Sequence, residues 1–210
     1  MSTRIDLHQS WQRMWQGLGA CGDGWRTYQS LLASYSEPQR QYHCLTHLIE
    51  CLEWFEQVQS LAQQPAAIES ALWFHDAIYL AERSDNEAQS ALWAKKALLA
   101  AGVVPPAAQQ VASLVLATRH TTPPTSADQQ LMVDIDLAIL GASEARFAAY
   151  EQQIRAEYRF VPAAVFSAKR RAILKTFLAR PRLYHTEYFY TILEAAARSN
   201  LLRAIAALES

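Results

Sequence analysis

Apolar side chains recur at three- and four-residue intervals through most of the chain, the spacing that gives a helix one buried face. The pattern runs from Ile5 to Gln16, lapses over the glycine-bearing stretch Gly17 to Gly24, and resumes from Trp25 to Tyr35. Pro38 separates this hairpin from the next helical run. Further helices are predicted at Tyr42–Leu61, Ala66–Leu80, Asp85–Ala101, Pro106–Arg119, Asp128–Leu140, Glu144–Arg159, Ala163–Leu178 and Tyr184–Leu208. Ser84 and Glu87 have capping-box spacing, Pro105-Pro106 suits a first helical turn, and Pro123-Pro124 marks a loop. The breaks are short, so successive helices are expected to pack on one another. The expectation is an all-α fold, a compact helical bundle with additional N- and C-terminal helices, and a single unit spanning residues 1–210.

Composition agrees with this pattern: half of the residues are apolar and there are only six glycines. Formal charge is −1 with acids and bases dispersed, which argues against a duplex nucleic acid as partner. Three cysteines, Cys21, Cys44 and Cys51, form neither CxxC pairs nor an even disulfide framework. The N-terminal stretch lacks a signal-like apolar core, and no apolar run approaches a membrane span, so a cytoplasmic location without membrane association is expected.

Three segments carry polar groups where the pattern calls for a dry surface. In Ala71–Leu80, a helical Asp76 has Leu72, Trp73, Tyr79 and Leu80 three and four positions away, and His75 stands beside it. An uncompensated charge there costs several kcal/mol, so Asp76 must be neutral, paired, or bound to a cation. Asp136 repeats the anomaly among Met132, Val133, Ile139 and Leu140, whereas Asp134 shares its face with Gln130 and suits a solvated first turn. His43 and His47, four apart, share one helical face. The missing glutamate of HExxH disfavours a zincin-type protease. A lone buried histidine is commonly structural, so a scaffold with core histidines stays open on these residues alone.

The ordered set His47, His75-Asp76, Asp136 resembles the H…HD…D signature of the HD superfamily of metal-dependent phosphohydrolases. The strings EPQRQYHCLTH, ALWFHDAIY, SDNEAQSA, VDIDLAILG and AARSNL are similar to its branch of predicted metal-dependent HD phosphohydrolases. The resemblance spans nearly the whole chain. It implies that His47, His75, Asp76 and Asp136 hold a divalent metal. Tyr42-His43 before His47 is similar to the YHxxxH segment of distant cyclic-nucleotide phosphodiesterases, which makes His43 the candidate general acid. Two departures stand out: Cys44 replaces the usual asparagine after that histidine, and Tyr79 stands where many relatives carry an acid.

The implied chemistry is attack of metal-activated water on a small phosphate ester, a nucleotide or related metabolite, with Asp76 at the catalytic centre. Two imidazoles and two carboxylates suit Mn, Fe, Co, Ni or Zn better than Mg, and a second ion bridged by Asp76 with His120 as an added ligand is an alternative. Arg40, His120 and Arg170 are the candidate phosphate contacts. A phosphodiesterase, a non-catalytic nucleotide-binding HD module and an oxidative di-iron protein remain open alternatives, as does a homodimer.

Overall fold

In the computed structural model, which describes residues 5–209, every regular element is helical. Ten α-helices are present among the described residues: α1 Leu7–Gly17, α2 Trp25–Tyr35, α3 Leu45–Val58, α4 Pro65–Phe74, α5 Asn86–Ala100, α6 Pro105–Ala117, α7 Ala127–Asp136, α8 Glu144–Glu157, α9 Ala163–Leu178 and α10 Glu187–Ala207. Short 3-10 turns follow α3 (Gln59–Leu61) and α7 (Leu137–Gly141). The all-α expectation holds. No helix among the described residues is long and apolar enough to cross a membrane. By contacts the chain divides into two compact units, Met1–Ile135 and Asp136–Ser210, and residues 1–4 and 210 of the expected 1–210 unit lie outside the described residues.

Local chemistry sets the helix starts. Asp6 caps α1 by accepting from the backbone N–H groups of His8 (2.9 Å) and Gln9 (3.0 Å). Proline occupies the first turn of α4 and of α6, where its missing N–H costs nothing. The capping box expected at Ser84 and Glu87 does not form. Asp85 is the N-cap of α5 and makes no side-chain cap, because its carboxylate is taken by Arg83 (2.7 Å to both Nε and Nη2) and Gln89 (3.0 Å).

The first unit is built around α4. Ala67 through Phe74 are all buried, and the helix packs on α1, α3, α5 and α6, which is why its sequence is apolar all round. Trp11 of α1 meets Trp73 of α4 edge to face at 5.5 Å and stacks on Trp15 at 4.9 Å. Gly24, at φ 62°, closes the turn beneath these rings, where a Cβ would stand 2.6 Å from Trp15. Glu69, an acid buried on α4, accepts from Ser10 Oγ (2.7 Å) and from Arg13 Nε (3.0 Å). Burial pushes its carboxyl above the usual range against the pull of Arg13 and Ser10.

The second unit comprises α8, α9, α10 and the 3-10 turn Leu137–Gly141, with α10 packed against all three. The AARSNL string has structural roles there. Asn200 Nδ2 donates to the carbonyls of Leu140 (2.8 Å) and Ala142 (2.9 Å). Arg198 donates to Glu194 (2.7 Å) and to the carbonyls of Leu178, Arg180 and Pro181.

Candidate metal centre

Helix α4 stops at Phe74, six residues short of the predicted end at Leu80. Apolar periodicity continues through Tyr79, but tertiary partners take the backbone groups that a longer helix would use. The N–H of Ile78 donates to Ser90 Oγ (3.0 Å) and that of Leu80 to Asn86 Oδ1 (3.1 Å), both on α5. From the other side, Arg40 donates to the carbonyls of Asp76 and Ala77. His75 is therefore a helical C-cap, and Asp76 begins an irregular turn whose N–H donates to the Tyr35 hydroxyl at 3.2 Å.

His75 is 1 % exposed, and its Nδ1 lies 2.8 Å from the carbonyl of Leu72. A carbonyl only accepts, so Nδ1 carries a proton and Nε2 is the ring atom turned toward the other side chains. That atom lies 3.0 Å from Nε2 of His47, which α3 supplies from its first turn. Asp76 Oδ2 sits 3.2 Å from His75 Nε2 and 3.5 Å from His47 Nε2. Burial alone raises the Asp76 carboxyl, but the facing imidazoles of His75, His43 and His47 outweigh it and hold the group below the usual carboxylate range.

Asp136 is the last residue of α7, a helix that through Ile135 belongs to the first unit. Ligand atoms of His47, Cys51, His75 and Asp136 all lie within 4.8 Å of one another, and the four form a group that can hold a metal ion. The donor set fits such an ion: two imidazoles, one with a fixed tautomer, a carboxylate and a sulfur, with a second carboxylate alongside. Asp134 is fully buried, contrary to its expected place as a solvated first-turn acid. Its helical neighbours Leu131, Leu137 and Ala138 are all buried and outweigh Gln130.

Cys51 was not legible as a donor. It stands four residues after His47 on α3, its Sγ 3.7 Å from both Nδ1 and Nε2 of that ring, and is 2 % exposed. Its one sequence signal is that spacing, which extends the His43, His47 series by a further turn.

The remaining candidates fall around the centre or away from it. His43 lies before α3 rather than on it, so no helical face joins it to His47. Its half-buried ring stacks on Tyr79 with centroids 4.0 Å apart and lies 6.2 Å from the His47 ring. Arg40 is buried, with its donors directed at Glu37 and the carbonyls of His43, Asp76 and Ala77. His120, half-buried after α6, adopts a left-handed φ of 55° and is outside the four-residue group. Arg170, in the second unit, is buried against Glu151 and over the Tyr150 ring at 5.1 Å. Burial opposes its charge, but Tyr150 and Glu151 hold the guanidinium firmly protonated. No family model, no curated protein and no solved structure matches this chain.

Proposed function

We propose that this chain is a metal-dependent phosphohydrolase of the HD type, acting on a small phosphate ester such as a nucleotide. One observation carries the reading: two buried imidazole nitrogens 3.0 Å apart, with Asp76 Oδ2 within 3.5 Å of both and Asp136 in the same group. Two buried imidazoles and two partly buried carboxylates crowd together in an arrangement that a shared divalent cation would stabilise. His47, His75 and Asp136 hold the ion, with Asp76 as a further oxygen donor. When bound, the ion supplies an acidified water and neutralises charge on the phosphoryl oxygens.

The other residues position and protonate. His43, stacked on Tyr79 beside the ligand set, delivers a proton to the leaving oxygen as the P–O bond breaks. The Leu72 carbonyl fixes the His75 ring. Arg40 ties the His43 loop to the turn that bears Asp76, so donor and ligands keep their spacing. The second-unit arginine, Arg170, acts within the protein through Glu151.

The test is elemental analysis of the purified chain together with a screen of phosphorylated metabolites in the presence of Mn²⁺, Zn²⁺ or Mg²⁺. Phosphate release that disappears in His75→Ala and Asp136→Asn, with loss of the ion, is the expected result. Full metal content and activity in both variants overturn the site. A tight nucleotide complex with no turnover points instead to a non-catalytic binding module.

A further inference from the structure

We propose that Cys51 is itself a ligand of this centre, and that its sulfur selects zinc, iron(II), cobalt(II) or nickel(II) against magnesium and manganese. The inference rests on the metal-centre reading above and goes beyond the HD signature, which contains no cysteine. Cys51 lies on the same face of α3 as His47, one turn further on, so a single rigid helix presents a nitrogen and a sulfur side by side. The 3.7 Å between His47 Nε2 and Cys51 Sγ is the edge enclosed by metal–nitrogen and metal–sulfur bonds of about 2.1 and 2.3 Å at an angle near tetrahedral. The sulfur also lies within 4.8 Å of the donor atoms of His75 and Asp136, so it belongs to the cluster as a whole and not to one ring.

A buried cysteine is ordinarily a small hydrophobe, surrounded by aliphatic groups. Cys51 instead faces an imidazole at the one place in the first unit where His47, His75 and Asp76 converge. The other two cysteines have no such company: Cys21 is exposed and Cys44 half-buried before α3. Thiolate ligands favour zinc, iron(II), cobalt(II) and nickel(II), while magnesium and manganese prefer oxygen. A sulfur in the set therefore narrows the choice that two imidazoles and two carboxylates leave wide.

Cobalt(II) reports both questions separately. The metal-free full-length chain is titrated anaerobically with Co²⁺, following the visible d–d bands, which count bound ions, and the near-ultraviolet sulfur-to-cobalt charge-transfer band, which reports thiolate ligation. The wild type is expected to show both. A Cys21→Ser/Cys44→Ser double variant, in which Cys51 is the sole cysteine, is expected to retain both. Cys51→Ser is expected to keep the visible bands, lose the charge-transfer band and bind Zn²⁺ at least about tenfold more weakly. Visible bands without charge transfer in the double variant, or charge transfer surviving in Cys51→Ser, overturn the sulfur ligand and leave the metal centre standing. Absence of cobalt binding by the wild type, or binding unaffected by His75→Ala, overturns the centre and this inference with it. Because the double variant leaves Cys51 untouched, the test stands even if Cys51→Ser fails to fold.

Discussion

The guanidinium of Arg40 donates to the backbone carbonyl of Asp76 across 36 residues of sequence, and with its other donors takes the carbonyls of Ala77 (3.1 Å) and His43 (3.2 Å). A residue predicted to meet substrate thus joins the two loops that flank the centre. Removing it takes this donor from one buried carbonyl, that of Ala77, and from the part-buried carbonyls of Asp76 and His43, at about 1–3 kcal/mol for each group left unsatisfied. Arg40→Ala is expected to lower unfolding free energy by about 2–5 kcal/mol in urea titrations. Lysine restores little, because an ammonium lacks the planar fork that reaches three oxygens at once. Equal stability of Arg40→Lys and wild type contradicts this account.

Metal removal gives a second prediction. An ion that binds the folded chain alone, present at about a hundredfold its Kd, adds about 2.7 kcal/mol. For a chain of this size that raises Tm by about 5–10 °C. Adding Zn²⁺ to the chelated wild type should produce this shift in a thermal melt, and His75→Ala should produce none. A similar shift in the variant places the bound ion elsewhere.

How much of this was legible in sequence depends on what ends each element. Helices α2 and α9 begin and end where the pattern puts them, and Gly24 and Pro162 fix their starts locally. Helix α4 does not: Ala77, Ile78 and Tyr79 continue its apolar pattern, and the backbone is taken over by Arg40, far back in the sequence, and by Ser90 and Asn86 of the next helix. Tyr42 and His43 likewise extend the α3 pattern but precede the helix. His47, His75 and Asp136 were legible because ionisable groups in apolar runs violate the pattern. Cys51 was not, because a cysteine violates nothing there, and Asp134 is misjudged when one polar neighbour decides its face.

The buried Glu69 gives a prediction of pH dependence. Its carboxyl titrates above the ordinary 4.5 chiefly because burial penalises the charge. The folded chain therefore takes up this proton at higher pH than the unfolded chain, and the associated cost of folding disappears as pH falls through the raised value toward 4.5. Glu69→Gln cannot take up a proton. In urea titrations from pH 7 down to 4.5, the wild type should gain stability relative to Glu69→Gln. A gap that moves the opposite way means that attraction to Arg13 outweighs burial.

The proton donor is tested by leaving-group dependence. His43 holds no place in the ligand group, and its ring rests on Tyr79 with its carbonyl tied to Arg40, so His43→Ala should retain the full metal content. A proton at the leaving oxygen matters most when the departing alkoxide is a poor leaving group, where general acid catalysis contributes about 10²–10⁴ in rate. On alkyl phosphates kcat should fall by about that factor in His43→Ala. On activated aryl phosphates, whose leaving group departs unprotonated, the loss should shrink to a small multiple. Tyr79→Leu keeps the imidazole but removes its stacking surface, so its losses should follow the same leaving-group order at smaller size. Equal losses across both ester classes in His43→Ala rule out proton donation, because a residue that only binds the phosphoryl group is blind to what departs.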